Sequence, residues 1–334
     1  MSTILEAQPV LPPLAALIEE AEIERAKAYG RAAKSTRTRR EYARDWAAFE
    51  RYCDSRNLTA LPADPQTVAR YIATLAGALT IATIRRRIVA ISQVHQERGL
   101  ETPTAHKVVR EVLAGIANTH GTPVRQKEAL TLDLLRAALL TLQRDRNALK
   151  ATRDRALLLL GFAGAFRRSE LAALDVGDLR FDRRGLTVTL RRSKTDQVGA
   201  GRDVAIPVVN VESLCPVRAM REWLERAEVT DGAVFRTFSM PRQRGEPSRL
   251  QTQRIDPKDV ARLVQRVARN ARLEGDFAAH SLRAGFVTSA AQKKVPEVDI
   301  QRVTGHRSVA TLRRYVRRAN LFEDPPLASI IGDT

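Results

Sequence analysis

Six side chains, scattered along the second half of the chain, could act on one phosphate. The last is Tyr315, which closes the stretch Thr304-Gly305-His306-Arg307-Ser308-Val309-Ala310-Thr311-Leu312-Arg313-Arg314-Tyr315. The chain has five tyrosines, and the other four lie at or before Tyr71. Arg313, Arg314, Arg317 and Arg318 crowd Tyr315. A phenol with a pKa of about 10 is a poor nucleophile at neutral pH. Nearby cations favour the phenolate and draw a phosphate to the same place. Arg167 stands in Gly164-Ala165-Phe166-Arg167-Arg168-Ser169-Glu170-Leu171, three residues before Glu170. A carboxylate that holds a guanidinium aims its remaining donors, and a guanidinium grips a phosphate bidentately. Lys194, in Ser193-Lys194-Thr195-Asp196, falls between two predicted strands, where an ammonium could deliver a proton. His280 and Arg283 are three residues apart at a helix start, so they share a face and can reach one phosphate. His306 follows Gly305, nine residues before Tyr315. Each has an ordinary reading alone: an ion pair, a surface lysine, a core tyrosine on a basic helix. Together they suit nucleophilic attack on a phosphodiester, with cationic side chains in place of a metal.

Other chemistries find less support. His280 and His306 lack cysteine or carboxylate partners at zinc-type spacings, so no metal ligand set is expected. No Ser-His-Asp order stands out, and no GxxxxGK[ST] loop is present, so neither ATP nor another cofactor is expected. The net charge is +18, which points to a polyanion, most often nucleic acid. Cys53 and Cys215 form no CxxC pair and suggest a reducing compartment. No apolar run reaches 18 residues, and no basic region leads into an apolar stretch at the N-terminus. The expectation is a soluble, cytoplasmic protein with no membrane partner.

The elements that must position these groups read as mainly α, with one small antiparallel β-sheet. Residues 1–30 form a net acidic, Pro- and Ala/Glu-rich tail, whereas 31–120 and 121–334 are both basic. Residues 31–120 read as a helical bundle. Ser35 or Thr36 caps a first helix with Tyr42, Trp46, Phe49 and Tyr52 on one face. Asp64-Pro65 opens a second helix. Thr80 caps a third, closed by Gly99, and a fourth spans about Ala105 to Asn118. Arg37, Arg39, Arg40 and Arg44 on the first helix and Arg85, Arg86 and Arg87 on the third are candidate DNA-backbone contacts. Arg313 and Arg314 beside Tyr315 are further candidates. Residues 121–128 read as a linker. In the unit at 129–320, Thr131 is expected to cap a helix, and Thr152 to begin an apolar one running through Ala156 to Phe162. Asp178–Asp182, Gly185–Arg191 and Arg202–Ile206 read as strands. Helices are expected at Ser213–Ala227, Pro257–Ala271, Ser281–Gln292, Pro296–Val303 and Val309–Arg318. Residues 321–334 form a terminal tail with apolar Leu321, Phe322, Leu327, Ile330 and Ile331.

In order and spacing, these residues resemble the signature of the tyrosine recombinases, the phage-integrase family: Arg, Lys, His-x-x-Arg, His or Trp, then Tyr. Arg167 matches the first arginine within R-x-S-E-L, and Glu170 its acidic companion. Lys194 matches the hairpin lysine, His280 and Arg283 the HxxR pair, His306 the Gly-His box, and Tyr315 the nucleophile. Size, helix layout and tail are similar to the Cre- and Xer-like simple recombinases. Two departures are visible: Ala284-Gly285-Phe286 follows HxxR, and Thr304 stands where Leu is common. The resemblance implies an N-terminal helical core-binding domain and a C-terminal α+β catalytic domain. It implies attack by Tyr315 on a scissile phosphate, giving a 3′-phosphotyrosine and a 5′-hydroxyl. Arg167 and Arg283 would hold the nonbridging oxygens, Glu170 would orient Arg167, and Lys194 would protonate the leaving oxygen. His280 would assist proton transfer at Tyr315, and His306 would bond the phosphate. It further implies a homotetramer on double-stranded DNA with inverted-repeat sites, exchange through a Holliday junction, and cyclic exchange of the 321–334 tail. Alternatives are a type IB-like topoisomerase and a catalytically silent DNA-binding protein. The target DNA and the biological role are not legible in the chain.

Overall fold

The computed structural model describes residues 22–26, 28–30, 33–122, 127–191, 201–239, 248–305 and 313. Lys194, His306 and Tyr315, Arg314, most of the last predicted helix and the terminal tail lie outside the described residues. The chain forms two compact units, Met1–Val124 and Arg125–Thr334.

The N-terminal unit is built from helices α1 (Thr36–Asp54), α2 (Pro65–Thr74), α3 (Ile81–Glu97) and α4 (Lys107–His120). Their starts are local events. Ser35 Oγ accepts the Thr38 amide at 3.2 Å, Asp64 the Gln66 amide at 2.6 Å, and Thr80 the Thr83 amide at 3.3 Å. Helix α4 begins two residues later than its periodicity predicts. Pro103–Ala105 first makes a 3-10 turn, and His106 then caps the α-helix. Apolar stripes from all four helices close over Phe49, Val68, Ile72, Ile84, Ile91, Val109 and Ile116. Buried His95 is part of this core. Its Nε2 accepts the Ala63 amide at 2.9 Å, and its Nδ1 lies 2.8 Å from the Ile91 carbonyl. Since Nε2 accepts, Nδ1 carries the proton.

The C-terminal unit centres on α6 (Ala148–Ala163), which is apolar around its second half; Ala156 to Leu160 are all buried. It lies against α8 (Pro216–Arg226), α10 (His280–Gln292) and the 3-10 turn after α5 (Leu132–Leu140). A short helix α7 (Arg168–Ala173) follows α6 directly. The sheet β1 (Leu179–Phe181), β2 (Gly185–Leu190) and β3 (Arg202–Pro207) is antiparallel in sequence order, with Leu190 opposite Arg202 at the open end. Helices α9 (Pro257–Asn270) and α11 (Glu297–Thr304) complete the described unit.

Several sequence expectations need correction. Helix α6 starts at Ala148, capped by Asn147, and Thr152 sits inside it bonding back to the Ala148 carbonyl at 3.0 Å. The apolar run marks only the half of the helix that is buried all round. Thr131 precedes α5 but makes no side-chain cap; Ser289 Oγ of α10 takes the Leu132 amide at 2.9 Å. A second sheet pairs β4 (Arg236–Phe238) with β5 (Leu250–Arg254). It escapes sequence patterning because β4 is three residues long and β5 reads Leu-Gln-Thr-Gln-Arg. Buried polar contacts inside the unit join distant elements as well as sequence neighbours. Asp154, fully buried on α6, accepts two bonds from Arg153 at 2.9 and 2.6 Å and one from Arg266 of α9. Arg153 then donates to the Arg236 carbonyl at 2.8 Å, tying α6 to β4. A buried carboxylate with this many donors is compensated rather than stranded.

Candidate active site

The end of α6 sets the position of Arg167. Phe166 donates its amide to the Gly161 carbonyl at 3.1 Å, closing the helix, and Ala165 takes a left-handed backbone with φ 47°. That turn releases Arg167 in an extended conformation ahead of α7. Glu170, buried in the first turn of α7, does two things. One carboxylate oxygen accepts the Arg167 amide at 2.8 Å, and the other accepts its Nη1 at 2.6 Å. One carboxylate thus caps the helix and clamps the guanidinium. The R-x-S-E spacing has this local physical content.

Arg283, buried on α10, donates Nη1 to the Ala165 carbonyl at 2.7 Å. The left-handed turn before Arg167 therefore also anchors the second arginine, 118 residues away. His280 begins α10 and keeps solvent contact. Partial burial, then the positive charges of Arg283 and Arg167, hold its pKa below the ordinary imidazole value. The imidazole, rather than the imidazolium, is the favoured form beside these arginines, as a proton acceptor requires. Helix α10 and the residues leading into it are held along one side by residues 127–132. Glu128 donates its amide to the Asp276 carbonyl at 3.0 Å and Leu130 to the Ser281 carbonyl at 2.9 Å. Lys127 pairs with Asp276. Gly285 permits this approach, because a β-carbon there would lie 1.8 Å from the Leu130 carbonyl oxygen.

The structure thus brings together Arg167, Glu170, His280 and Arg283 from α7, its N-terminal turn and α10. It also adds a group that motif reading missed, Arg202 at the start of β3. Burial lowers the Arg202 pKa, Glu170 raises it and Arg167 lowers it further, which places the three charges in one neighbourhood. A sequence signal existed: strand alternation puts Arg202 on the same face as buried Val204 and Ile206. Lys194 lies in the β2–β3 connection and His306 follows Gly305, the left-handed end of α11. The described part of the site carries the guanidiniums of Arg167 and Arg283 against the one carboxylate of Glu170. It suits a phosphate anion. Among the described residues no group of three His, Cys, Asp or Glu could hold a metal ion.

The candidate DNA-contact arginines divide by environment. Arg37, Arg39, Arg40 and Arg44 of α1 and Arg85 of α3 are exposed. Arg86 instead donates to buried Asp45 at 2.7 and 3.2 Å. Arg87 lies 3.6 Å from the same carboxylate and donates to the Tyr71 hydroxyl at 2.7 Å. Both guanidiniums are thus engaged inside the N-terminal unit, where the sequence pattern alone reads as three equivalent surface charges. Tyr71 is an instructive control for Tyr315: burial raises its pKa despite the opposing effect of Arg87. There a cationic neighbour does not by itself favour the phenolate. Arg313 is exposed and pairs with Glu297 at 3.2 Å.

The phage integrase family matches residues 128–321, and the phage integrase N-terminal SAM-like domain matches residues 30–101. An integrase/recombinase xerD homolog of Selenomonas ruminantium is 36% identical over 322 residues, spanning 93% of this chain and 92% of that protein. A tyrosine recombinase XerC of Myxococcus xanthus is 27% identical over 289 residues, 85% of this chain and 87% of that one. Among solved structures, the XerH site-specific recombinase bound to palindromic difH substrate in a post-cleavage complex has a TM-score of 0.56 at 18% identity, covering 79% of this chain and 72% of that chain. A lambda integrase tetramer bound to a Holliday junction has a TM-score of 0.59 at 14% identity, covering 91% and 80%. At these identities the structural likeness establishes the fold. The family match spans more than half of the chain and the Selenomonas relative nearly all of it, so the chain belongs to the phage integrase family, the tyrosine recombinases, which are DNA strand-transferring enzymes.

Proposed function

We propose that this chain cleaves and rejoins DNA at specific sites through a 3′-phosphotyrosine intermediate on Tyr315. The observation that carries the reading is the shared anchor of the two arginines. Arg167 is clamped by Glu170 at 2.6 Å, and Arg283 is tied to the Ala165 carbonyl two residues before Arg167. Two guanidiniums fixed to one turn present donors to the nonbridging oxygens of one phosphate, and such preorganised donors favour the charge that develops in the transition state. Tyr315 Oη attacks phosphorus, and His280, held neutral, assists removal of the phenolic proton. The bond to the 5′-bridging oxygen breaks, and Lys194 supplies the proton that makes it a hydroxyl. His306 donates to a nonbridging oxygen. In the second half, the 5′-hydroxyl of a partner strand attacks the phosphotyrosine and Tyr315 leaves. One phosphoester replaces another at each step, so the strand exchange consumes no nucleotide.

Two such exchanges through a Holliday junction require four protomers on two DNA sites, and inverted repeats in each site match paired protomers. The XerH and lambda integrase relatives were solved on DNA, one of them as a tetramer on a junction, which supports this assembly. The terminal apolar tail, 321–334, passes cyclically between protomers in this scheme. Deleting it is expected to abolish synaptic tetramers while leaving single-site binding; tetramers that persist would exclude the exchange.

Covalent trapping tests the chemistry. A duplex nicked close to the cleavage position loses a short fragment on cleavage, so the protein–DNA adduct accumulates. Candidate sites come from inverted repeats beside the coding sequence. Wild type is expected to give an adduct that survives denaturing electrophoresis, and Tyr315→Phe to bind the same DNA without one. Binding without trapping by either protein would mean a silent DNA-binding protein. Relaxation of a plasmid lacking any specific site would mean a topoisomerase.

A further inference from the structure

Arg202 occupies a costly position. It opens β3, opposite Leu190 at the end of the sheet that leads into the Lys194 loop. Its Nη1 donates to the Val303 carbonyl of α11 at 2.8 Å. A cation at a helix C-terminus is favourably placed against the helix dipole and takes up one of its last carbonyls. Gly305 then ends α11 with φ 62°, donating its amide to Gln301 at 2.8 Å. The guanidinium lies against the Gly305 α-carbon. A β-carbon there would stand 3.0 Å from Arg202 Cζ, 3.1 Å from Nε and 3.2 Å from Nη1. Gly305 is thus required twice, by its backbone angle and by the flat group covering it. Among the described residues Arg202 Nη2 is buried with no hydrogen-bond partner. Arg167 adds a second positive charge nearby, against the one carboxylate of Glu170. A partly desolvated cation beside another cation is a poor stabilising element. What only a guanidinium does here is join β3 to the end of α11.

We propose that Arg202 is a positioning residue for strand cleavage: through Val303 and Gly305 it sets the end of α11, at the residue that precedes His306 in the chain, against the Arg167–Glu170 pair. The proposal rests on the cleavage function proposed above. It assigns Arg202 no contact with DNA and no proton to transfer.

Arg202→Met keeps the length of the side chain and removes its donors; Arg202→Lys keeps one charged donor. Both are compared with wild type for half-site binding, single-turnover trapping and thermal unfolding. Arg202→Met is expected to trap at least tenfold more slowly, with Kd within threefold and Tm lowered by no more than about 4 °C, the loss of one hydrogen bond. Arg202→Lys is expected to recover part of that rate. A substrate with sulfur at the 5′-bridging position separates the two ends of the strut, because a thiolate leaves without a proton. A defect acting through the Lys194 loop disappears on that substrate; the defect proposed here persists. The assignment is overturned if Arg202→Met traps within threefold of wild type, if the sulfur substrate restores it, or if Kd weakens in proportion to the rate. Should Arg202→Met not fold, Arg202→Lys decides by the same readouts: at least threefold slower trapping at unchanged Kd supports the role, and a wild-type rate overturns it. Wild type that itself fails to trap refutes the cleavage function, and this role with it.

Discussion

Replacing Gly285 by alanine is the sharpest test of how the site is held, because local and tertiary effects have opposite signs there. Gly285 lies inside α10, two residues beyond Arg283. Helix propensity alone favours Gly285→Ala by about 1 kcal/mol. The added β-carbon would stand 1.8 Å from the Leu130 carbonyl oxygen and 2.4 Å from its carbon. Both are main-chain atoms, so no side-chain rotation relieves the contact. Overpacking of this kind costs up to about 3 kcal/mol. Moving residue 130 away also loosens its 2.9 Å amide bond to the Ser281 carbonyl, about 1 kcal/mol more. After the propensity gain, about 3 kcal/mol of destabilisation remains. For a unit of this size that lowers Tm by about 6–12 °C. Gly115→Ala is the internal control. Gly115 is exposed within α4, and nothing lies within 4 Å of the place a β-carbon would take, so the same change should raise the stability of the N-terminal unit by about 0.5–1 kcal/mol. Calorimetry or hydrogen exchange on the full chain reads the two units separately. A Gly285→Ala protein as stable as wild type would show that the 127–132 segment does not press on α10, and that another contact orients His280 and Arg283.

Two further outcomes follow from other sites. His95→Phe fills the same space but leaves the Ala63 amide without its 2.9 Å acceptor, so the N-terminal unit should lose about 2 kcal/mol, or about 8–16 °C in Tm; an unchanged transition, or Ala63 amide exchange no faster than in wild type, would refute the role. For His280, partial burial and then Arg283 and Arg167 depress the pKa, so the folded protein should bind the proton only below the ordinary value of about 6.5. Above that pH both folded and unfolded chains hold a neutral ring and the group contributes nothing pH-dependent; as pH falls below it the unfolded chain protonates first and stability declines. An NMR titration of the His280 ring in the free protein with a midpoint at or above 6.5 would contradict this.

What the chain discloses by itself is whatever depends on near neighbours. Ser35, Asp64 and Thr80 cap the helices they precede because a cap needs only a side-chain oxygen and an amide two or three residues on. Strands β1 to β3 follow from alternation, and Glu170 reaches Arg167 because both sit in one turn. The family was correctly read in the same way, from residue types at spacings that resemble its signature. Tertiary structure decided the partners. Thr131 offers a cap, yet Ser289, 157 residues away, satisfies the amide at Leu132. Arg85, Arg86 and Arg87 look equivalent in sequence, but Asp45 and Tyr71 engage two of them because those side chains arrive on other helices. Ala165 gives no hint that its carbonyl holds Arg283, and Arg202 shows only as a cation on the inner face of a strand. Hydrogen bonds and desolvation act over a few ångströms, and folding alone determines which distant residues come within that range.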